Sequence, residues 1–246
     1  MNFVRTKSFE LAVYAKGNAT SPQVALVLPG RLDTKDYPHM RSHVDYLASK
    51  GYYALSFDPP GTWESPGNLS LYTVTNYQKA IHELIEYLGN KPTILLGHSR
   101  GGGMAMLVGT HNPAVTHIIT VFSKAGPSKV NTPAKVGASV TEHRDTPPND
   151  REHQRTFELP YSFFADAVQY SMLEDLKTCL KPKLYFLGLQ DKLAPPDVIQ
   201  EIYDASANPK QLYELDSEHD YRYHQDLVDE VNTVVGRFLK IPGTNT

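Results

Sequence analysis

Apolar residues along this chain fall into short unbroken runs that alternate with longer stripes at helical spacing. The run VALVL at Val24–Leu28 is apolar at every position, which predicts a central strand buried on both faces. Further strands are predicted over residues 52–57, 93–96, 116–122, 183–189 and 211–215. Each is rich in β-branched, leucine or aromatic residues and runs into turn chemistry. Residues 9–15 read as an edge strand, paired in a hairpin with residues 2–6. Helices are predicted between them, over 39–50, stopped by Gly51, and over 75–88, where Ala80, Ile81, Leu84, Ile85 and Leu88 share a face before Gly89. Others follow at 102–110, 161–178, 195–206 and 225–239. In the last, Leu227, Val228, Val231, Val234, Val235 and Phe238 form a stripe that belongs in the core.

Strand, helix and strand in repeated crossovers predict an α/β fold: a mostly parallel sheet of about eight strands with helices on both faces. With 246 residues, 40% of them hydrophobic, the chain is long enough to make one domain over 1–246. Residues 124–160 break the rhythm. They are polar and interrupted by prolines, and they are expected to form a small lid or cap insertion, with the charged run 142–155 as a solvated face.

Charge and composition mainly exclude. A net charge of −3 gives no general electrostatic drive toward nucleic acid or an anionic membrane. No window approaches the ~20 apolar residues of a membrane span, and residues 1–7 lack the apolar core of a secretory signal, so a cytoplasmic location is expected. The single cysteine, Cys179, excludes an internal disulfide and is expected to be a small buried apolar residue. The ten histidines are scattered, and of these His219 and His224 are near each other in sequence, so neither a metal centre nor another cofactor is expected.

The chemistry concentrates in LLGHSRGGG, residues 95–103. A buried strand ends there and a helix begins, with Gly97-His98-Ser99-Arg100-Gly101 at the junction. So tight a strand-to-helix turn crowds the serine backbone against positions two residues away, which therefore must lack a Cβ. The serine hydroxyl is left exposed at the start of a helix whose free N–H groups point at it. Gly-x-Ser-x-Gly alone recurs by chance, and its force here comes from the strand before it and the helix after it. His98 is expected to pack beneath the turn. Arg100 offers a backbone N–H, and its side chain is either solvent-facing or a substrate contact.

On these residues the chain resembles the α/β-hydrolase superfamily, as a serine-esterase-like member, over nearly its full length. The resemblance implies a nucleophilic serine, an acid and a histidine in that order, each on a loop after a strand. After the strand at 183–189 comes QDKLAPP, residues 190–196, where Asp191 matches the acid; its other reading is an Asx-type turn or helix-entry residue. The alternative acid position in some relatives, after Phe122, holds Ser123-Lys124 and no carboxylate. The histidine segment, DSEHDYRYH at 216–224, offers His219 at the family's spacing and His224 near the terminal helix; His219 is preferred. The oxyanion hole would use the N–H of Arg100 and one from the loop Leu28-Pro29-Gly30-Arg31-Leu32. Pro29 leaves Arg31 or Leu32 as that donor, and Arg31 is chosen. DPPGTWESPG, residues 58–67, resembles the family's stretch after the fourth strand with Trp63 in place of a glycine. That tryptophan either lines the mouth of the pocket or covers the loop.

The implied activity is that of a serine hydrolase cleaving a carboxylic ester, or a related amide, thioester or lactone, through an acyl-enzyme. Its partner is a small-molecule acyl substrate. Arg31 and Arg100 raise the possibility of an anionic one. The rival reading is a ligand-binding or sensing protein that keeps the fold with little turnover.

Overall fold

The computed structural model describes residues 2–126 and 136–240. Among the described residues there are ten strands: β1 (Asn2–Arg5), β2 (Glu10–Lys16), β3 (Val24–Leu28), β4 (Tyr53–Phe57), β5 (Thr93–His98), β6 (Val115–Val121), β7 (Ser139–Thr146), β8 (Asp150–Pro160), β9 (Lys183–Gly188) and β10 (Lys210–Leu215). All except β7 and β8 join one sheet in the order β1-β2-β4-β3-β5-β6-β9-β10. The first two strands pair antiparallel, as does β2 with β4, and every later pairing is parallel.

The helices are α1 (Pro38–Ser49), α2 (Val74–Tyr87), α3 (Arg100–His111), α4 (Tyr161–Ala167), α5 (Leu173–Thr178), α6 (Pro196–Ala205) and α7 (Gln225–Phe238). Period-two alternation in β3 explains its unbroken apolar run. Val24, Leu26 and Leu28 face a core shared with α2, α3 and α6, while Ala25 and Val27 face a second core shared with α1 and α7. Two cores, one on each face, hold the sheet as the sequence pattern predicts.

Local chemistry sets the helix ends. Thr73 accepts the N–H of Asn76 with its side chain, and the Asp166 carboxylate accepts the N–H groups of Val74 (2.6 Å) and Thr75 (3.1 Å), so α2 is capped twice. Gly51 and Gly89, at φ +94° and +82°, carry the chain out of α1 and α2.

Two expectations change. The helix predicted over 161–178 is divided into α4 and α5, because the intervening groups have tertiary partners. Met172 donates its N–H to the carbonyl of Ala125 (2.8 Å), and the Tyr170 hydroxyl meets Thr75 Oγ1 (2.6 Å). Of the expected lid, residues 127–135 lie outside the described residues, and most of the rest is the β7–β8 hairpin. Its charged run is largely exposed, but Asp145 is buried and Arg144 turns inward, donating from Nε (3.1 Å) and Nη2 (2.8 Å) to the carbonyl of Arg31.

Candidate active site

The junction of β5 and α3 is strained at one residue. Ser99 has φ +50° and ψ −117°, a conformation that an L side chain seldom adopts. Its N–H donates to the Val121 carbonyl on the neighbouring strand (2.8 Å), and its own carbonyl accepts the N–H groups of Gly102 and Gly103 as α3 starts. A Cβ at Gly97 would run into the backbone of Gly101, and one at Gly101 into the carbonyl of Leu28. The two flanking glycines are thus demanded by close backbone approach, as the motif implies.

Three side chains from three strand ends meet there. Ser99 Oγ lies 2.9 Å from His219 Nε2, and His219 Nδ1 lies 2.7 Å from Asp191 Oδ2. The other oxygen of Asp191 accepts the N–H groups of Leu193 (2.7 Å) and Ala194 (2.9 Å), so this side chain closes the turn before α6 and also reaches the histidine. Burial works to raise its pKa, but the hydrogen bond and charge of His219 and the two N–H donors outweigh that. The carboxyl is held below its usual range. His224 is exposed at the N-cap of α7, away from this chain of contacts.

His98 is packed beneath the turn as expected, and it does more than fill space. Its Nδ1 lies 3.2 Å from Asp33 Oδ2, and its Nε2 lies 3.1 Å from the carbonyl oxygen of His219. Burial would raise the Asp33 pKa, yet the hydrogen bond and charge of His98, with the charges of Arg144 and His39, hold it well below the carboxylate range. Each ring nitrogen of His98 thus faces an oxygen, the Asp33 carboxylate on one side and the His219 carbonyl on the other.

On the oxyanion side, Arg100 opens α3 and presents its N–H beside Ser99. Of the two candidate donors in the loop after β3, the N–H of Leu32 is spent on the Tyr72 hydroxyl (3.1 Å). Arg31 lines the cavity next to Ser99, as does Arg100. Trp63 covers the loop: its indole N–H donates to the Leu32 carbonyl (2.8 Å) and its ring packs on Tyr37 and Phe157. It sits at φ +45°, which a glycine would adopt freely. Cys179 is buried, as expected.

Sequence reasoning missed the polar groups behind the site. His39 and His43 are both fully buried on α1, four residues apart. Burial lowers the His39 pKa well below its ordinary value and that of His43 to about 4. His43 bridges Asn232 and the Tyr221 hydroxyl, each at 2.7 Å. The i, i+4 spacing on a helix was the available signal. The histidines scattered in sequence therefore converge in space, and ligand atoms of Asp33, His39 and His98 lie within 4.8 Å of one another. Two of those three are already hydrogen-bonded together, and the charge of Arg144 acts on the same carboxylate, an arrangement that disfavours a cation.

A cavity of about 430 Å³ opens over Ser99 and His219. Met104, Phe163, Phe164 and Met172 give it an apolar wall, while Arg31, Arg100, Lys124 and Arg144 bring positive charge. It has the size and mixed lining of a small-molecule site.

Residues 24–145 match the family model described as alpha/beta hydrolase fold. The chain belongs to the α/β-hydrolase superfamily. Among curated relatives of this α/β hydrolase, the mouse palmitoyl-protein thioesterase ABHD10, mitochondrial, is 21% identical over 96% of this chain and 84% of its own. The human protein of that name is 19% identical over 96% and 82%. Among solved structures, Est1E from Butyrivibrio proteoclasticus with ferulic acid bound superposes with TM-score 0.79 at 16% identity, covering 98% of each chain. Alpha/beta hydrolase domain-containing protein 10 from mouse gives 0.76 at 20% identity, covering 97% of this chain and 98% of its own. The two curated relatives carry a mitochondrial designation, which lends no support to the cytoplasmic expectation. Among the described residues of this α/β hydrolase, no helix is long and apolar enough to cross a membrane.

Proposed function

We propose that this α/β hydrolase cleaves carboxylic esters or the related thioesters, with Ser99 as nucleophile, His219 as base and Asp191 as the acid that orients it. The observation that carries this reading is the continuous chain of short contacts from Ser99 Oγ through His219 to Asp191. A serine hydroxyl is a weak nucleophile, so His219 Nε2 takes its proton as Oγ attacks the acyl carbon. Asp191 Oδ2 accepts the N–H at Nδ1, which keeps Nε2 free as acceptor and offsets the charge that the ring acquires. The N–H groups of Arg100 and Arg31 hold the oxyanion, helped by the positive end of α3. The proton then passes from His219 to the leaving alcohol or thiol, and an acyl-Ser99 remains. Water gives a proton to His219, attacks the acyl carbon, and releases the acid with Ser99 restored.

The relatives named as thioesterases and the Est1E structure with ferulic acid bound support acyl chemistry of either kind. We further propose that the described part of that expected cap, the β7–β8 hairpin, covers the site, which the bonds from Arg144 to the Arg31 carbonyl support. The test is hydrolysis of short and long aryl esters and acyl thioesters, with Ser99→Ala as control. Activity lost in the variant upholds the reading. A protein that retains acyl ligands tightly with no Ser99-dependent turnover is instead a binding or sensing protein.

A further inference from the structure

The side chain of Arg100 lies in the cavity wall, against aromatic rings. Its guanidinium lies between two rings, with Cζ 4.3 Å from the Phe163 centroid and 5.3 Å from that of Tyr72. Among the described residues neither Nε nor Nη2 has a hydrogen-bond acceptor, although both are buried. Two buried guanidinium donors without acceptors are costly, and an anion held nearby would offset part of that cost. Burial also lowers its pKa, but a guanidinium stays charged.

Lys124 is exposed at the cavity rim, and the more buried charges around the cavity have partners. Arg31 pairs with Glu142 at 3.1 Å, Asp33 is bonded to His98, and Asp220 faces Arg222 at 3.7 Å. Arg144 donates from Nε and Nη2 to the Arg31 carbonyl and lies within reach of the Asp33 charge. Asp166, the acid whose charge reaches Arg100, spends its carboxylate on the first turn of α2. Arg31, one of the two arginines that suggested an anionic substrate, is therefore paired, while among the described residues Arg100 has no ion-pair partner in contact. Beside it the wall is apolar, built from Met104, Phe163, Phe164 and Met172, which suits a hydrocarbon chain. In so dry a wall a positive charge acts on an anion over several ångströms, without direct contact.

We propose that the acyl group this site accepts carries its own carboxylate, as in a half-ester or half-thioester of a dicarboxylic acid, with Arg100 as its electrostatic partner. This rests on the hydrolase reading above and names its substrate class. The test compares 4-nitrophenyl esters in matched pairs of four, six and eight carbons, one of each pair neutral and the other ending in a carboxylate. For at least one length, kcat/KM is expected to favour the carboxylate ester about tenfold. Arg100→Met should bring the ratio to one or below, and Arg100→Lys should keep it above one. Equal or higher rates on the neutral ester at every length, or a ratio unchanged in Arg100→Met, overturn the proposal.

Ser99-dependent hydrolysis without that preference removes only this inference, whereas no hydrolysis of either series removes the hydrolase reading. Binding still decides the matter in that event. Adipate should raise the melting temperature of Ser99→Ala protein more than hexanoate does, and lose that advantage when Arg100→Met is added. Equal shifts for the two acids overturn the proposal.

Discussion

His98 Nε2 sits 3.1 Å from the carbonyl oxygen of His219, so the residue before the proposed nucleophile holds the backbone of the proposed base. With Asp33 on its other nitrogen, His98 forms a second histidine–carboxylate pair behind the first. Replacing it by phenylalanine keeps a ring beneath the turn and removes both polar contacts. The expected result is a fall in kcat of about ten- to a hundredfold with little change in KM, as for other groups that orient a reacting side chain. Steady-state kinetics with circular dichroism as a fold control checks it. Unchanged kcat would reduce His98 to packing.

Ser99→Ala and His219→Ala should each cut turnover by roughly 10⁴- to 10⁶-fold. His224→Ala, altering an exposed cap residue, should leave turnover within a factor of two or so. Burst kinetics with an aryl ester would register the acyl-enzyme in the native protein and its loss in the first two variants.

Asp191 separates two roles that one substitution can divide. Asparagine keeps an oxygen for the N–H groups of Leu193 and Ala194 but loses the charge beside His219. Alanine loses both. Asp191→Asn should therefore be slow yet near native in stability, while Asp191→Ala should be destabilised by a further ~1–3 kcal/mol. Urea unfolding of the pair makes the comparison, and equal midpoints would deny the turn-closing role.

Stability should fall in mild acid. His43 has its folded pKa lowered to about 4 by burial, against 6.5 when unfolded. The unfolded chain then binds the extra proton below pH 6.5, so the contribution is complete above that pH and is lost as pH falls toward the folded value. Between pH 6.5 and 5, where few carboxylates titrate, His43 alone should cost about 2 kcal/mol, and His39 adds in the same direction. Unfolding free energies measured across that range test this, and a flat profile would contradict it.

The glycine at 101 faces the Leu28 carbonyl so closely that no side chain fits. Gly101→Ala should cost at least about 3 kcal/mol or abolish soluble expression. Thermal unfolding of whatever protein is recovered gives the answer.

What the sequence conveyed was periodic or local. The central strand was legible because both faces of Val24–Leu28 are buried, and Ser99, Asp191 and His219 were legible because each follows a strand at fixed spacing. The division of residues 161–178 was not, since helical spacing carries no notice that Met172 would donate to Ala125. Nor was the β7–β8 hairpin, whose long exposed strands lack the apolar alternation that marks a half-buried one. The meeting of Asp33, His39 and His98 depends on three separate elements, and no spacing along the chain encodes it.

The grip of Arg144 on the Arg31 carbonyl ties the hairpin to the loop that would steady the oxyanion. If the hairpin swings aside to admit a substrate, that loop loses its brace in the same movement. Entry and readiness are then mutually exclusive, and the site is fully armed only once the door has shut behind its guest.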